Sequence, residues 1–144
     1  MSPDVAAPYL QFLTTLTPDR IGELDRHCAP TVRFRDPFHD TAGIAAYRQV
    51  LRSMYEAMDV DEFTVTPPVC AGPVCHFEWT LRYRFRSPML PRASSVIQGA
   101  SRLLFDADGW VTAHTDYWDA GLIYERVPGL GLLVRGLKGR IANA

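Results

Sequence analysis

The sequence is poor in cysteine, nearly free of net charge and without any long apolar run. Its three cysteines, Cys28, Cys70 and Cys75, cannot all pair within one chain, and none has CxxC or Cys/His metal spacing. No structural disulfide framework is expected, and the chain reads as a protein of a reducing compartment, most simply the cytoplasm. Fifteen Lys and Arg against 16 Asp and Glu leave a formal charge of −1. That balance lacks the electrostatic footprint of a general nucleic-acid binder, and no nucleic-acid partner is expected. No stretch approaches the roughly 18 apolar residues of a membrane span, and the first residues lack the basic and apolar regions of a secretory signal. Gly129-Leu-Gly131 does not continue into a dinucleotide fingerprint and follows no buried strand, and GxxxxGK[ST] does not occur. What is present, 47% hydrophobic and 22% charged residues in 144, fits one globular domain spanning residues 1–144.

Hydrophobic spacing divides the chain into two regimes. Val5, Tyr9, Phe12, Leu13 and Leu16 recur at helical intervals. Thr17-Pro18 then predicts the start of a second helix, with Ile21, Leu24 and Cys28 as its stripe and Ala29-Pro30 as its end. Thr31–Asp36 alternates, with Val32, Phe34 and Asp36 on one side and Arg33 and Arg35 on the other, until Pro37 breaks the ladder. Ile44, Tyr47, Leu51, Met54 and Met58 predict a third helix capped by Asp40 or Thr41 and placed to cover a sheet.

From Glu62 the period becomes two. Glu62–Thr66 predicts a short strand. Val74–Phe85 puts Cys75, Phe77, Trp79, Leu81, Tyr83 and Phe85 on one face, and His76, Glu78, Thr80, Arg82 and Arg84 on the other. Ser95–Phe105 and Trp110–Asp119 follow, joined at Asp106-Ala-Asp-Gly109, whose residues suit a tight hairpin. Strands this long imply a curved antiparallel meander, and such a sheet with helices in its concavity forms a cone able to hold a pocket. Residues 120–144 read as an extension or lid whose glycines lower helix propensity.

This order of elements, with Phe34-Arg-Asp36-Pro37-Phe38, Gly43-Ile-Ala-Ala-Tyr47, Gly99-Ala-Ser-Arg-Leu-Leu-Phe-Asp106, Asp108-Gly109 and His114-Thr-Asp-Tyr-Trp-Asp119, resembles the nuclear transport factor 2-like superfamily. Within it the chain is most similar to SnoaL-like and ketosteroid-isomerase-like proteins, over about residues 5–120. The resemblance implies an α+β fold, a cone-shaped, mainly antiparallel sheet wrapped around N-terminal helices, of the cystatin-like roll type. It leaves the reaction open, because this architecture hosts isomerases, cyclases, dehydratases, epoxide hydrolases and non-catalytic modules. Asp36 matches the general base of ketosteroid isomerases, an Asp before Pro. The places of their oxyanion-hole tyrosine and protonated aspartate read Phe12 and Ser101, so steroid isomerisation by that mechanism is not expected. The epoxide-hydrolase pattern of Asp-Arg-Asp has no counterpart, since Arg33, Arg35, Arg82 and Arg84 alternate away from the apolar face.

On the last strand, the period of two places His114, Asp116 and Trp118 on one face, which the resemblance turns into the cone. Two such residues lie about 7 Å apart along the strand, within reach directly or through one water. The expected catalytic set is Asp36, His114 and Asp116, with Phe12, His39, Trp79, Tyr83, Ser101 and Trp118 against the substrate. Plain structural readings stand beside this one. Asp36 can cap the turn after its strand, His114 and Asp116 can be a satisfied internal pair, His39 can be a solvated loop residue, and Trp79, Phe77 and Tyr83 can be core. Gly99 and Ser101 are small enough to make room for a cavity. The expectation is cofactor-independent acid–base chemistry, with no metal, on an apolar carbonyl- or hydroxyl-bearing molecule, or else a non-catalytic ligand-binding or dimerisation module. The polar outer face of the long strands is the expected homodimer contact. The glycines of the tail argue against a membrane-surface helix there, and a lid or dimer arm fits as well.

Overall fold

A computed structural model describes residues 3–143. A 3₁₀ turn at Pro3–Val5 leads into helix α1 (Ala7–Thr14) and a second 3₁₀ segment, Pro18–Arg26. Then come β1 (Cys28–Arg35), β2 (Asp40–Ala42), α2 (Ile44–Ala57), β3 (Met58–Val65), β4 (Val69–Ala71) and β5 (Val74–Phe85). The chain closes with β6 (Ser95–Phe105), β7 (Val111–Tyr117), a single turn α3 (Gly121–Tyr124) and α4 (Leu130–Ala142). The strands form one sheet in the order β2-β1-β7-β6-β5-β3, with β4 paired to β5. All pairings are antiparallel except β1 with β7. Helix α2 packs against both β1 and β3, which lie towards opposite edges of the sheet, so the sheet curves around it. The core fills that concavity with Tyr9, Leu24, Val32, Tyr47, Leu103 and Val111, each at most 2% exposed.

Several boundaries differ from the sequence expectation for identifiable reasons. Ala29-Pro30 does not end a helix. The second element is 3₁₀, stops at Arg26, and Pro30 lies inside β1. Between Cys28 and Arg33 the β1–β7 register shifts, and the shift falls where Pro30 has no ladder N–H to offer. Asp40 and Thr41 do not cap α2, because they are used in β2 opposite Arg35 and Phe34. Gly43 takes the N-cap at φ 95°, a left-handed conformation that costs glycine nothing, and its amide donates to the Val32 carbonyl at 2.9 Å. Met58 opens β3 instead of ending the helix, which starts that strand four residues before the expected Glu62. Trp118 and Asp119 lie just past the end of β7.

Cys70 and Cys75 form a disulfide, against the expectation of none. They are directly opposed in the β4–β5 hairpin, whose short turn brings their sulfurs together, a proximity that cysteine counting does not reveal. Cys28 stays a buried free thiol, and burial pushes its pKa up to about 12. The glycine-rich tail forms α4 despite its low propensity. There Gly131 is buried, so close to the Glu125 carbonyl that an added Cβ would overlap it. Among the described residues no helix is long and apolar enough to cross a membrane.

Candidate functional site

Inside the cone lies a cavity of about 610 Å³. Its walls are mostly apolar: Leu13 from α1 and Leu16 just after it, Leu51 and Met54 from α2, and Phe77 and Phe85 from β5. Asp61 and Glu62 of β3 border it, and a further group of polar side chains enters from β7, β6 and the β1–β2 turn. His114 and Asp116 project from β7, Ser101 from the facing position of β6, and Asp36 and His39 from the β1–β2 turn.

The alternation of β7 brings His114 and Asp116 to the same face, where His114 Nε2 lies 2.7 Å from Asp116 Oδ1. Ser101, opposite Asp116 in the ladder, donates its hydroxyl to the same Oδ1 at 2.5 Å. Trp79 Nε1 donates in turn to Ser101 Oγ at 2.9 Å. Trp79 reaches that far because Gly99 is its cross-strand partner. The indole occupies the space a side chain would take, and an added Cβ would stand 2.4 Å from Trp79 Cζ2. Gly99 thus makes room for the ring, while Ser101 borders the cavity itself.

On the other side of the imidazole, Tyr9 of α1 lies 2.7 Å from His114 Nδ1, and the Tyr47 hydroxyl lies 2.6 Å from Tyr9 and 3.2 Å from Nδ1. Burial, the largest cause in each case, pushes both phenols well above their usual 10, so both carry their protons. Two protonated hydroxyls and one imidazole nitrogen admit a simple assignment. Tyr47 donates to Tyr9, Tyr9 donates to Nδ1, and the proton on Nε2 is directed at Asp116. His114 is then neutral, as suits an imidazole only 4% exposed. All of its hydrogen-bonding capacity is used, and the partner carboxylate supplies the charge.

Asp36 and Asp116 are each held by one oxygen. Asp116 Oδ1 takes the bonds from His114 and Ser101, and Asp36 Oδ1 accepts the amides of Phe38 (2.8 Å) and His39 (2.7 Å) and contacts His39 Nδ1 at 2.9 Å. Among the described residues neither Oδ2 has a partner in the chain, and neither is sealed from solvent. Asp36 thus caps its turn and also borders the cavity. One oxygen caps the turn before β2, and the other has no partner among the described residues.

Seven of the nine residues singled out from sequence border the cavity: Asp36, His39, Trp79, Ser101, His114, Asp116 and Trp118. Phe12 and Tyr83 do not. Phe12 faces away from it, stacked on His27 with ring centroids 4.8 Å apart, and Tyr83 is packed edge-on to Phe85 at 5.2 Å. Tyr9 and Tyr47 were read only as core positions on helical stripes. The available signal was their type, since a buried tyrosine hydroxyl needs a partner that leucine would not. Among the described residues no three of His, Cys, Asp or Glu gather closely enough to hold a metal ion.

The buried phenols set an alkaline limit on stability. Unfolded tyrosines lose their protons near about pH 10, while Tyr9 and Tyr47 in the fold keep theirs to higher pH. Above that pH the folded state holds more protons than the unfolded one. The stabilisation is complete below about pH 10 and is lost as pH rises towards the folded values. Denaturant midpoints should fall steeply above about pH 10, and replacing both tyrosines by phenylalanine should flatten that fall. An equally steep decline in the double variant would assign it to other groups.

Residues 9–114 match the SnoaL-like domain family. Solved structures share the fold at low identity. One is a candidate SnoaL-like polyketide cyclase from Mesorhizobium loti, with 16% identity over 81% of this chain and 99% of that one and a TM-score of 0.67. Another is a protein of ketosteroid isomerase-like fold from Catenulispora acidiphila, with 16% identity, 89% and 96% coverage and a TM-score of 0.70. A third, an NTF2-like protein of unknown function from Burkholderia pseudomallei, has 12% identity, 90% and 100% coverage and a TM-score of 0.73. No curated protein matches the chain.

Proposed function

The chain belongs to the SnoaL-like domain family, and on that premise we propose that it binds an apolar small molecule bearing a carbonyl and catalyses proton transfer next to that carbonyl. The observation that carries this reading is the state of Asp116. One carboxylate oxygen is fixed by His114 and Ser101, the other has no partner among the described residues, and Asp116 borders a mostly apolar cavity.

In such a site Asp116 Oδ2 acts as the base, taking a proton from the carbon beside the carbonyl. His114 and Ser101 hold the carboxylate in one orientation, so no reorganisation is needed as the proton moves. Asp116, now a carboxylic acid, returns the proton at the same or another carbon, which gives isomerisation or prepares aldol-type ring closure. The His39 imidazole, held by Asp36 and partly open to water, can in its protonated form supply a proton or hydrogen bond to the developing oxyanion. The candidate cyclase among the structural neighbours is in keeping with this chemistry, and Ser101, at the cavity where ketosteroid isomerases carry a protonated aspartate, still argues against steroid isomerisation by that mechanism.

Deuterium uptake tests the reading without knowledge of the natural substrate. Apolar ketones, α-tetralone among them, are incubated with the protein in D₂O, and exchange beside the carbonyl is followed by NMR. Exchange above the protein-free rate is expected. Binding without exchange would leave a ligand-binding protein and reject the catalytic step, and neither binding nor exchange across the set would reject both.

A further inference from the structure

Helix α4 carries its apolar side outward. Polar contacts tie its other side to the body: Arg135 Nη1 donates to the Glu125 carbonyl at 3.0 Å, and Lys138 Nζ holds Asp119 at 2.7 Å and Glu125 at 3.1 Å. Leu130, Leu133, Leu137 and Ile141 follow one another at steps of three, four and four residues, a spacing that aligns them along one side of a helix. All four are exposed, Leu133 by 69%, Leu137 by 58% and Ile141 by 68%, and Leu132 beside them by 73%. Single exposed leucines are ordinary, but a contiguous row of them marks a surface that something covers.

The charge on the helix indicates what that is. Leu130–Ala142 holds Arg135, Lys138 and Arg140 and no acid, in a chain whose formal charge is −1. At 3.6 residues per turn, Lys138 and Arg140 fall on opposite flanks of the apolar row. The nearby carboxylates of Asp119 and Glu125 are both taken by Lys138, and among the described residues Arg140 has no ion-pair partner. A second copy laid on this face would set cations against cations, which is unfavourable. An anionic lipid surface takes the leucines into its acyl boundary and the flanking cations at its headgroups. The glycines that argue against such a helix from sequence lose their force in the structure. Helix α4 is already formed, so the surface does not have to offset the low propensity of Gly131, Gly136 and Gly139.

We propose that α4 docks the protein on anionic phospholipid bilayers, with Leu133, Leu137 and Ile141 in the interface and Arg140 at the headgroups. The helix lies in the plane of the surface, since it is not long and apolar enough to cross.

The test is cosedimentation with sucrose-loaded vesicles, made of phosphatidylcholine alone or of equal parts phosphatidylcholine and phosphatidylglycerol. The wild-type protein should partition onto the anionic vesicles about tenfold or more over the neutral ones, and added salt should erase that preference. Leu133→Ser and Leu137→Ser together should abolish sedimentation, and Arg140→Glu should reduce it about tenfold. These side chains are exposed, so thermal midpoints should stay at the wild-type value. No sedimentation of the wild type, or equal sedimentation with both vesicles, would overturn the proposal. Binding that survives in the leucine double variant would do the same. A wild-type dimer that ignores vesicles and is lost in that variant would also overturn it, and would make a second copy the occupant. The wild-type comparison does not depend on how well the variants fold.

Discussion

Replacing Asp116 by asparagine should leave the fold intact and slow deuterium exchange of a bound ketone by about 10²-fold or more. The separation of effects follows from the way the carboxylate is held. Both scaffold bonds, from His114 Nε2 and Ser101 Oγ, end on the same oxygen. An asparagine carbonyl oxygen accepts both in place. Its amide nitrogen then stands where the open oxygen was, and a carboxamide does not act as a base near neutral pH. Thermal midpoints and exchange rates of Asp116→Asn and Asp116→Ala, measured together, distinguish the roles. A purely structural Asp116 would show unchanged exchange per folded molecule in both variants, with lost stability in Asp116→Ala because two buried donors lose their acceptor. Unchanged exchange in Asp116→Asn would by itself remove Asp116 from the reaction.

A second large effect is expected at Gly99. An alanine Cβ there would lie 2.4 Å from Trp79 Cζ2 and 2.8 Å from Cε2 and Cη2, closer than real carbon contacts allow, so the indole must move. The ring cannot move freely, because Trp79 is only 7% exposed and donates its N–H to Ser101. Overpacking of this kind costs about 1–3 kcal/mol, read as a lowered denaturant midpoint. Moving the ring also withdraws the donor that orients Ser101, and with it the hydrogen bond holding Asp116. Gly99→Ala should therefore weaken ketone exchange as well as stability. A variant with wild-type midpoint and tryptophan fluorescence would show that the indole has room to spare and does not position Ser101.

The parts of the site that were legible in the sequence are those that local geometry places. Alternation along a strand is a property of the extended backbone itself, so His114 and Asp116 share a face, and Arg33 and Arg35 turn away from it, wherever the strand lies. The same rule put Trp79 inward and made residues 74–85 and 95–105 strands with the observed ends. Boundaries failed where a long-range pairing used a residue that local rules assign elsewhere. Pro30 is tolerated in β1 because of a register shift against β7, more than eighty residues away in the chain, and Asp40 and Thr41 were claimed by pairing with β1 before they could cap α2.

By itself, then, the sequence determined the α+β architecture, the faces of the long strands, and the residue types able to move a proton, because periodicity and side-chain chemistry are local. Only the tertiary structure decided which of those residues meet. It joined Tyr9 and Tyr47, on two helices, to His114 on the last strand, and it opposed Cys70 to Cys75. It also buried the Arg126 Nε without a partner and packed Phe12 and Tyr83 outside the cavity lining. These outcomes depend on helix-to-sheet packing and on strand register. Both are set by the simultaneous fit of many side chains, and no single residue's spacing carries that information.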